Sequence, residues 1–255
     1  MTEKAFYHKS FSETIKKKDY EVPIYHFIPL NYLLRIIKDK ILVISQIIKW
    51  EDTYENFLSM IKFYLDETPV SIVSAPELIY GQCWTLNKET DALWRIYSTN
   101  KQSVRIKTTI KKLLGVSLCE KNHVRYSTIL RKIGQVEYLT ESQIYNWIKK
   151  RKKENILLGS SVIDSLFIKR KEFKHEKEVR LLINKSINED EYSRGNFKSY
   201  LELEIDPNIF IEEITFDPRF SNEDFILYKK ILGDLGFYNR INKSKLYEFK
   251  SITIK

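Results

Sequence analysis

The sequence predicts an α+β fold, with a single domain over residues 1–255 in which helices flank a central mixed, mostly antiparallel curved sheet. Strand-like and helix-like segments are mixed along the chain, without the strict alternation that builds a parallel sheet. Seven glycines and six prolines in 255 residues leave no segment that is typical of a flexible linker. With 43% hydrophobic and 30% charged residues, the composition is that of a globular protein.

The spacing of apolar residues predicts the elements. Alternating or continuous apolar runs predict strands at 22–28, 41–45, 82–86, 103–109, 179–184, 200–206 and 210–216. Apolar residues at helical spacing predict helices at 30–40, 51–67, 89–98, 141–168 and 222–236. Acidic residues in its first turn favour the helix at 51–67, and Gly236 marks the end of the last helix.

Cysteine content and the N-terminus bear on the compartment. Two cysteines, Cys83 and Cys119, suggest a reducing compartment without a disulfide framework. The opening "MTEKAFYHKS" lacks the apolar stretch of a secretion signal, and no apolar run approaches the ~20 residues of a membrane span. We therefore expect a cytoplasmic protein without membrane contact.

Several familiar chemistries lack their motifs. The sequence has neither a P-loop nor a GxGxxG fingerprint. Two cysteines and four widely spaced histidines do not give the ligand spacing of a zinc site, so no metal is expected.

The charge is basic and uneven. There are 43 Lys and Arg against 34 Asp and Glu, a net charge of +9. The densest cluster is Lys149, Lys150, Arg151, Lys152 and Lys153, and "KRK" follows at 169–171. Basic clusters near aromatic side chains such as Tyr145 suit a nucleic-acid surface, because phosphates attract the cations and bases stack on rings. Alternatively, the run at 149–153 ends a helix, where cations complement the helix dipole.

A polar row precedes the predicted strand at 179–184, in "KHEKEVRLLI". In an extended chain Glu176, Glu178 and Arg180 share one face, and Val179 and Leu181 the other. This row is either a solvated sheet face with a surface Glu–Arg pair or the carboxylate set of an active site.

Motifs along most of the chain resemble the bacterial domain-of-unknown-function 2971 family (DUF2971), over about residues 24 to 250. They are "PIYHFIPLNYLLRIIKDKILVIS", "KWEDTYENF", "GQCWTLNKETDALWRIYS", "SVRIKTT", "KHEKEVRLLI", "EEITFDPRFSNEDF" and "INKSKLYEF". The resemblance implies a cytoplasmic bacterial protein, often associated with mobile elements or defence loci. It supplies no activity.

A second resemblance does imply one. "PIYHFIPLNYLLRII" resembles the opening of DNA-modifying ADP-ribosyltransferase toxins, in which a strand-borne His precedes an Asn-Leu helix start. These enzymes carry a His or Arg on a first strand, a Ser or Tyr element, and a late Glu, often in Glu-x-Glu. The matching positions are His26, Tyr97-Ser98 and Glu176-x-Glu178. The implied fold is ADP-ribosyltransferase-like, and the implied substrate is NAD.

The resemblance also implies roles. Glu178 stabilises the cation that develops when the nicotinamide–ribose bond breaks, Glu176 orients or deprotonates the acceptor, and Arg180 holds Glu178 or a pyrophosphate oxygen. The NAD-binding candidates are Tyr25, His26, Trp94, Tyr97 and Ser98, with His26 on a ribose and Trp94 or Tyr97 stacked on nicotinamide. Each has a structural alternative: His26 as a core histidine, and Trp94 with Tyr97 as a core stripe.

Two functions are open on this reading. One is an NAD-dependent ADP-ribosyltransferase, a defence or toxin effector that modifies RNA or DNA. The other is a non-catalytic nucleic-acid or protein-binding module of a bacterial defence system. In either case an antitoxin or another defence-system protein is a candidate partner.

Overall fold

The computed structural model describes residues 15, 17–50, 63–65, 68–70, 76–117, 129–153, 160–185, 195 and 197–249. The chain divides into two compact units. The first draws on Met1–Asp19, Val43–Trp84 and Asn122–Glu202, and the second on Tyr20–Leu42, Thr85–Lys121 and Leu203–Lys255. The single domain predicted for residues 1–255 stays a prediction.

The helices of the described residues are mostly short. The α-helices are α1 Leu30–Asp39, α2 Asp91–Tyr97, α3 Ile110–Val116, α4 Glu141–Lys153, α5 Ser160–Ser165, α6 Pro207–Phe210 and α7 Asn222–Asp234. Short 3-10 helices cover Lys17–Asp19, Ile47–Lys49, Pro76–Leu78 and Lys171–Glu176. Helices α2, α3 and α7 begin after Thr90, Thr109 and Ser221, whose hydroxyl oxygens accept a hydrogen bond from a first-turn N–H.

The strands are β1 Pro23–Pro29, β2 Ile41–Gln46, β3 Phe63–Leu65, β4 Thr68–Val70, β5 Ile79–Thr85, β6 Ser103–Thr109, β7 Ile129–Gln135, β8 Glu137–Leu139, β9 Ile168–Arg170, β10 Glu178–Lys185, β11 Tyr200–Glu204, β12 Glu213–Phe216 and β13 Arg240–Lys243. Antiparallel pairings predominate among these strands, whereas β12 with β13 and β8 with β9 pair in parallel.

The second unit contains strands in the order β1-β6-β12-β13. Strand β1 pairs with β6 along its whole length, and His26 lies opposite Ile106. Helices α1 and α2 pack against β1, and α3 packs against β6. Phe27, Leu93 and Trp94 form a buried cluster between β1 and α2. This unit therefore holds the predicted NAD-binding residues on β1 and around α2.

The first unit contains strands in the order β11-β2-β5-β10-β7. Strand β10 pairs with β7 in antiparallel register, and Leu181 lies opposite Ile133. Every residue of β10 from Glu178 to Ile183 is buried, so both of its faces are covered. Strands β8 and β9 form a separate parallel pair in which Tyr138 lies opposite Lys169.

Apolar side chains beside β10 form the core of the first unit. They come from the 3-10 helix Ile47–Lys49, β5, α5, the loop after α5, β9 and β10. The buried members are Ile47, Ile79, Val162, Ile163, Leu166, Phe167, Ile168 and Leu182. The partly buried side chains packed against them, three of them from α4, are Trp50, Leu139, Ile144, Trp147 and Ile148. Burial of apolar side chains is the main favourable contribution to folding, so this cluster fixes where β9 and β10 lie.

The α+β prediction, with a mostly antiparallel sheet and flanking helices, is confirmed. The helix predicted at 51–67 is wrong at Phe63–Leu65, which pairs as a strand with Thr68–Val70. Aromatic residues there fit a strand better than the helix pattern suggested. The other residues of 51–67 lie outside the described part.

Two further predicted elements are corrected. Within the helix expected over 141–168, the described residues form α4 and α5, and the last residue, Ile168, begins strand β9. Residues 154–159 of this prediction lie outside the described part. The strand expected at 210–216 starts only at Glu213, because Pro207 at the first helical positions starts the short helix α6 that ends at Phe210.

Among the described residues, no helix has both the length and the apolar character that a bilayer span requires.

The buried β7–β10 pair yields a stability prediction. Leu181→Ala should lower the free energy of unfolding by about 2–5 kcal/mol, because it opens a cavity at a fully buried site opposite Ile133. The matched control is Leu227→Ala on α7, where the side chain is 52% exposed and the change should stay within about 0.5 kcal/mol. Urea unfolding measures both, and equal midpoints for the two variants would contradict the burial of Leu181.

Candidate active site

The polar row around Glu178 is held by four elements of the first unit. Glu178 is the first residue of β10, and Glu176 is the last residue of the 3-10 helix Lys171–Glu176. Between them Lys177 adopts a left-handed conformation, with φ of 45°. Tyr138 on β8 and Lys169 on β9 lie opposite each other in the parallel pair.

The Glu178 carboxylate lies between two cations. Its Oε1 accepts a hydrogen bond from Lys169 Nζ at 2.7 Å, and its Oε2 accepts one from Arg180 Nε at 2.6 Å. Lys169 Nζ also donates to Glu176 Oε2 at 2.7 Å. One ammonium group thus joins both carboxyls of the Glu-x-Glu motif.

An outer layer of contacts holds these groups in place. Arg180 Nη1 donates to the Leu166 carbonyl oxygen at 2.7 Å, and its guanidinium carbon lies 4.7 Å from the centre of the Trp50 ring. The Glu178 N–H donates to Tyr138 Oη at 2.8 Å. Lys169 Nζ lies 4.5 Å from the centre of the Phe173 ring. Aromatic faces attract such cations, so they add to the ion pairs.

The polar row is buried. Glu178 is 5% exposed and Arg180 is 0% exposed, while Glu176 and Lys169 are 7% and 9% exposed. The alternative of a solvated sheet face with a surface ion pair is therefore wrong. Strand alternation places Glu178 and Arg180 on one face, as predicted. Glu176 is brought in by a turn instead, because it ends the 3-10 helix and is followed by the left-handed Lys177.

The environment separates the two carboxyls in pKa. Burial alone would raise the pKa of Glu178, but the nearby Arg180, a hydrogen bond from Glu176 and the charge of Lys169 together lower it to about 2. Burial and the hydrogen bond to Glu178 raise the pKa of Glu176 from 4.5 to about 7, against the opposing effect of Lys169. Burial also raises the pKa of the Tyr138 phenol to about 12.

Such a pair can divide two chemical tasks. A carboxylate that stays ionised can stabilise a positive charge that develops near it. A carboxyl that titrates near neutral pH can take up or release a proton. Paired acids with separated pKa values are a common feature of active sites, although structural ion networks produce them too.

The predicted NAD-binding residues lie in the second unit. His26 is half-buried on β1, and Tyr25 is buried with the Arg105 guanidinium carbon 5.0 Å from its ring centre. Tyr97 is 43% exposed and stacks on Phe27 with ring centres 6.1 Å apart. His26 and Tyr97 are both partly accessible to solvent, and their NAD-binding roles stay predictions.

Trp94 and Ser98 are enclosed more tightly. Trp94 is 0% exposed, and its Nε1 donates to Glu89 Oε2 at 3.0 Å. Ser98 is also 0% exposed, and its Oγ accepts a hydrogen bond from the Ser103 N–H at 3.2 Å. This burial favours the core alternative for Trp94 over stacking on nicotinamide.

The basic segment ends helix α4. Lys149 and Lys150 are exposed, and Lys149 Nζ lies 4.6 Å from the Tyr145 ring centre. Arg151 is half-buried and pairs through Nη1 with Asp164 Oδ2 at 3.1 Å. The side chains of Lys152 and Lys153 lie outside the described part. Of the five predicted cations, Lys149 and Lys150 are therefore the two described as exposed.

Three residues of the site were missed. Lys169 was assigned to a basic run, but it is buried between the two glutamates; its place after the apolar "LFI" was the available signal. Tyr138 and Trp50 reach the site through β8 and the 3-10 helix Ile47–Lys49. Nothing in their local sequence indicates it.

The described residues contain no group of three or more His, Cys, Asp or Glu side chains that could hold a metal ion.

Comparisons with known proteins give a family match over part of the chain. The family model described as "Protein of unknown function (DUF2971)" matches residues 93–181. The resemblance to that family is thus confirmed over a range that contains Lys169, Glu176, Glu178 and Arg180. A search of curated protein sequences gives no match.

Solved structures give remote likenesses. The chain is similar to "Thermus sp. 2.9 DarT in complex with NAD+" at 13% identity and a TM-score of 0.40, over 88% of this chain and 96% of that one. It is similar to "Thermus sp. 2.9 DarT in complex with ADP-ribosylated ssDNA" at 14% identity and a TM-score of 0.40, over 88% and 95%. At these values, the residues of this chain have to carry any functional conclusion.

The separated pKa values predict the pH dependence of stability. The folded-state pKa of Glu178 is depressed to about 2. Its contribution to the free energy of unfolding is therefore present above pH 4.5 and is lost as the pH falls through 2. The folded-state pKa of Glu176 is raised to about 7, so stability falls as the pH rises from 4.5 through 7.

Glu178→Gln should therefore flatten the acid side of the stability profile, and Glu176→Gln should remove the decline towards neutral pH. Urea unfolding between pH 3 and pH 8 gives these profiles, with the exposed Glu137→Gln as control. If all three variants parallel the wild type, the two carboxyls are not held as described.

Proposed function

We propose that the protein is an NAD-dependent ADP-ribosyltransferase that modifies nucleic acid, as an effector of bacterial defence or a toxin. The observation that carries the proposal is the Glu-x-Glu pair, in which Glu178 is buried and held ionised by Lys169 and Arg180. Glu176 lies beside it with a pKa near 7. This division of charge suits a reaction that needs one ionised carboxylate and one group that moves a proton.

The reaction breaks the bond between the nicotinamide nitrogen and C1′ of the ribose. The bonding electrons leave with nicotinamide, whose ring becomes neutral, and C1′ is left with oxocarbenium character. An oxygen or nitrogen of the acceptor then bonds to C1′ and loses its proton. Glu178 stabilises the cationic carbon, and ionised Glu176 accepts the proton from the acceptor.

Arg180 acts on Glu178 in this scheme. Its Nε is bound to Glu178, its Nη1 to the Leu166 carbonyl, and its side chain is fully buried. These contacts support bracing of the carboxylate rather than binding of a pyrophosphate oxygen. Lys169 has to release Glu178 Oε1 during the reaction, since an oxygen that is shared with an ammonium stabilises a second cation less well.

The NAD contacts follow from the resemblance. His26 hydrogen-bonds a ribose hydroxyl, and Tyr97, the most exposed of the candidates, offers a ring face to nicotinamide. Tyr25 and Ser98, both buried, complete the proposed NAD-binding set. The acceptor strand lies along the exposed end of α4, where Lys149 and Lys150 attract phosphates and Tyr145 is 57% exposed.

A second candidate is a non-catalytic nucleic-acid or protein-binding module. One observation favours it: both oxygens of Glu178 are already bound by cations, and the residue is only 5% exposed. A buried ion network of this kind occurs for structural reasons alone. The two candidates differ in turnover, because only the first releases nicotinamide from NAD.

The first test replaces Glu178 by Gln. The change keeps volume and hydrogen-bonding shape but removes the charge that stabilises the developing cation, so nicotinamide release should fall to background while NAD still binds. Glu176→Gln should reduce labelling of the acceptor more than nicotinamide release into water. Liquid chromatography of nicotinamide and gel analysis of labelled acceptor measure the two rates.

The control for this test is Glu137→Gln, which removes an exposed carboxylate from β8 near the site. It should behave as the wild type does. Retention of wild-type turnover in Glu178→Gln would assign the ion network to structure and support the second candidate.

The second test concerns the nucleic-acid surface. Replacing Lys149 and Lys150 by Gln should weaken binding and reduce the slope of log K against log salt by about 2, because fewer counterions are released per complex. The matched control is Lys229→Gln with Lys230→Gln, an exposed lysine pair on α7. Equal salt slopes for the α4 variant and the wild type would remove α4 from the binding surface.

A further inference from the structure

The Trp50 indole lies close to both Gly81 and Arg180 in the first unit. A Cβ atom built on Gly81 would be 2.5 Å from Trp50 Cζ2, 3.0 Å from Trp50 Cη2 and 2.9 Å from Leu182 Cδ2. The Arg180 guanidinium carbon is 4.7 Å from the centre of the same ring. The ring therefore occupies space that is open only because residue 81 has no side chain.

Three of the contacts of Arg180 bear on where its guanidinium lies. Its Nε donates to Glu178 Oε2, and its Nη1 donates to the Leu166 carbonyl, so both hydrogen bonds hold the edge of the group. The Trp50 ring lies against its central carbon. Together these contacts restrain a planar, rigid group and so favour the 2.6 Å hydrogen bond to Glu178 Oε2.

We propose that Trp50, seated on Gly81, is a positioning residue that sets the orientation of Arg180 and thereby the position and charge of the Glu178 carboxylate. The catalytic consequence of this role rests on the proposed ADP-ribosyl transfer. The structural consequence, the state of Glu178, does not depend on any activity.

Other groups also face Glu178. Lys169 comes from β9, Glu176 from the end of the 3-10 helix, and the Tyr138 hydroxyl from β8. These three groups reach Glu178 through contacts of their own, whereas Trp50 lies against the Arg180 guanidinium. We therefore expect a change in the titration of Glu178 on replacing Trp50 to act through Arg180.

The test uses three variants of the full chain. Trp50→Leu removes the ring face, and Trp50→Phe keeps a smaller one. Gly81→Ala should displace the indole, together with the end of the Leu182 side chain, without altering any charged residue. Two controls are matched to them. Trp147→Leu removes from the same core a ring that lies against a different cation, Arg151, which pairs with Asp164. Gly233→Ala adds a methyl group that meets nothing within 4 Å.

The first readout is the carboxyl titration of Glu178, followed by NMR of protein with ¹³C-labelled glutamate and assigned with Glu178→Gln. In the wild type, Trp50→Phe and both controls, the signal should stay ionised to the lowest pH at which the protein is folded. In Trp50→Leu and Gly81→Ala it should titrate about one pH unit higher or more. Unchanged titration in folded Gly81→Ala or Trp50→Leu overturns the proposal.

The second readout is nicotinamide release from NAD. In Gly81→Ala, kcat should fall about tenfold or more while KM changes less than about twofold, since the loss concerns the transition state. Gly233→Ala should match the wild type. A rise in KM with an unchanged kcat in Gly81→Ala would overturn the catalytic part of the proposal. If the wild type itself releases no nicotinamide, the proposed function fails, but the titration still decides the role of Trp50.

Discussion

The first unit depends on one interaction, the ion pair of the Glu178 carboxylate with Lys169 and Arg180. A charge that is removed from water must be compensated at short range, because an unpaired buried ion costs several kcal/mol. Glu178 therefore requires both cations, and each cation requires its own second contact: Lys169 with Glu176, and Arg180 with the Leu166 carbonyl. The start of β10, strand β9 and the 3-10 helix between them are tied together in this way.

The same interaction connects stability with chemistry. Two cations keep Glu178 ionised, and the ionised Glu178 in turn makes it easier for buried Glu176 to keep a proton. The same ion pairs thus balance the buried charge and separate the pKa values of the two carboxyls. For ADP-ribosyl transfer it means that the group which stabilises a cation and the group which moves a proton are set before any substrate binds. In a purely structural network, the same ion pairs would only compensate the buried charges.

The sequence allowed the fold class, most strand and helix positions, and the pairing of Glu178 with Arg180 to be predicted, because local periodicity decides them. It did not allow Lys169, Tyr138 or Trp50 to be placed. Lys169 and Tyr138 come together through the parallel pairing of β8 with β9, which lie about thirty residues apart in the sequence. Trp50 occupies space that is free because residue 81 is a glycine. Glu176 was placed on the right side for the wrong reason, since a turn rather than strand alternation brings it in. Such contacts are set by tertiary packing, which periodicity does not encode.

The proposed transfer of ADP-ribose from NAD to nucleic acid can be measured directly. The purified protein is incubated with NAD labelled in its adenylate phosphate, together with separate pools of DNA, RNA and protein, and both the label and free nicotinamide are followed. We expect label covalently bound to a nucleic-acid pool, with nicotinamide released in equal amount. Label in the protein pool alone, or no label and no nicotinamide in any pool, would contradict it.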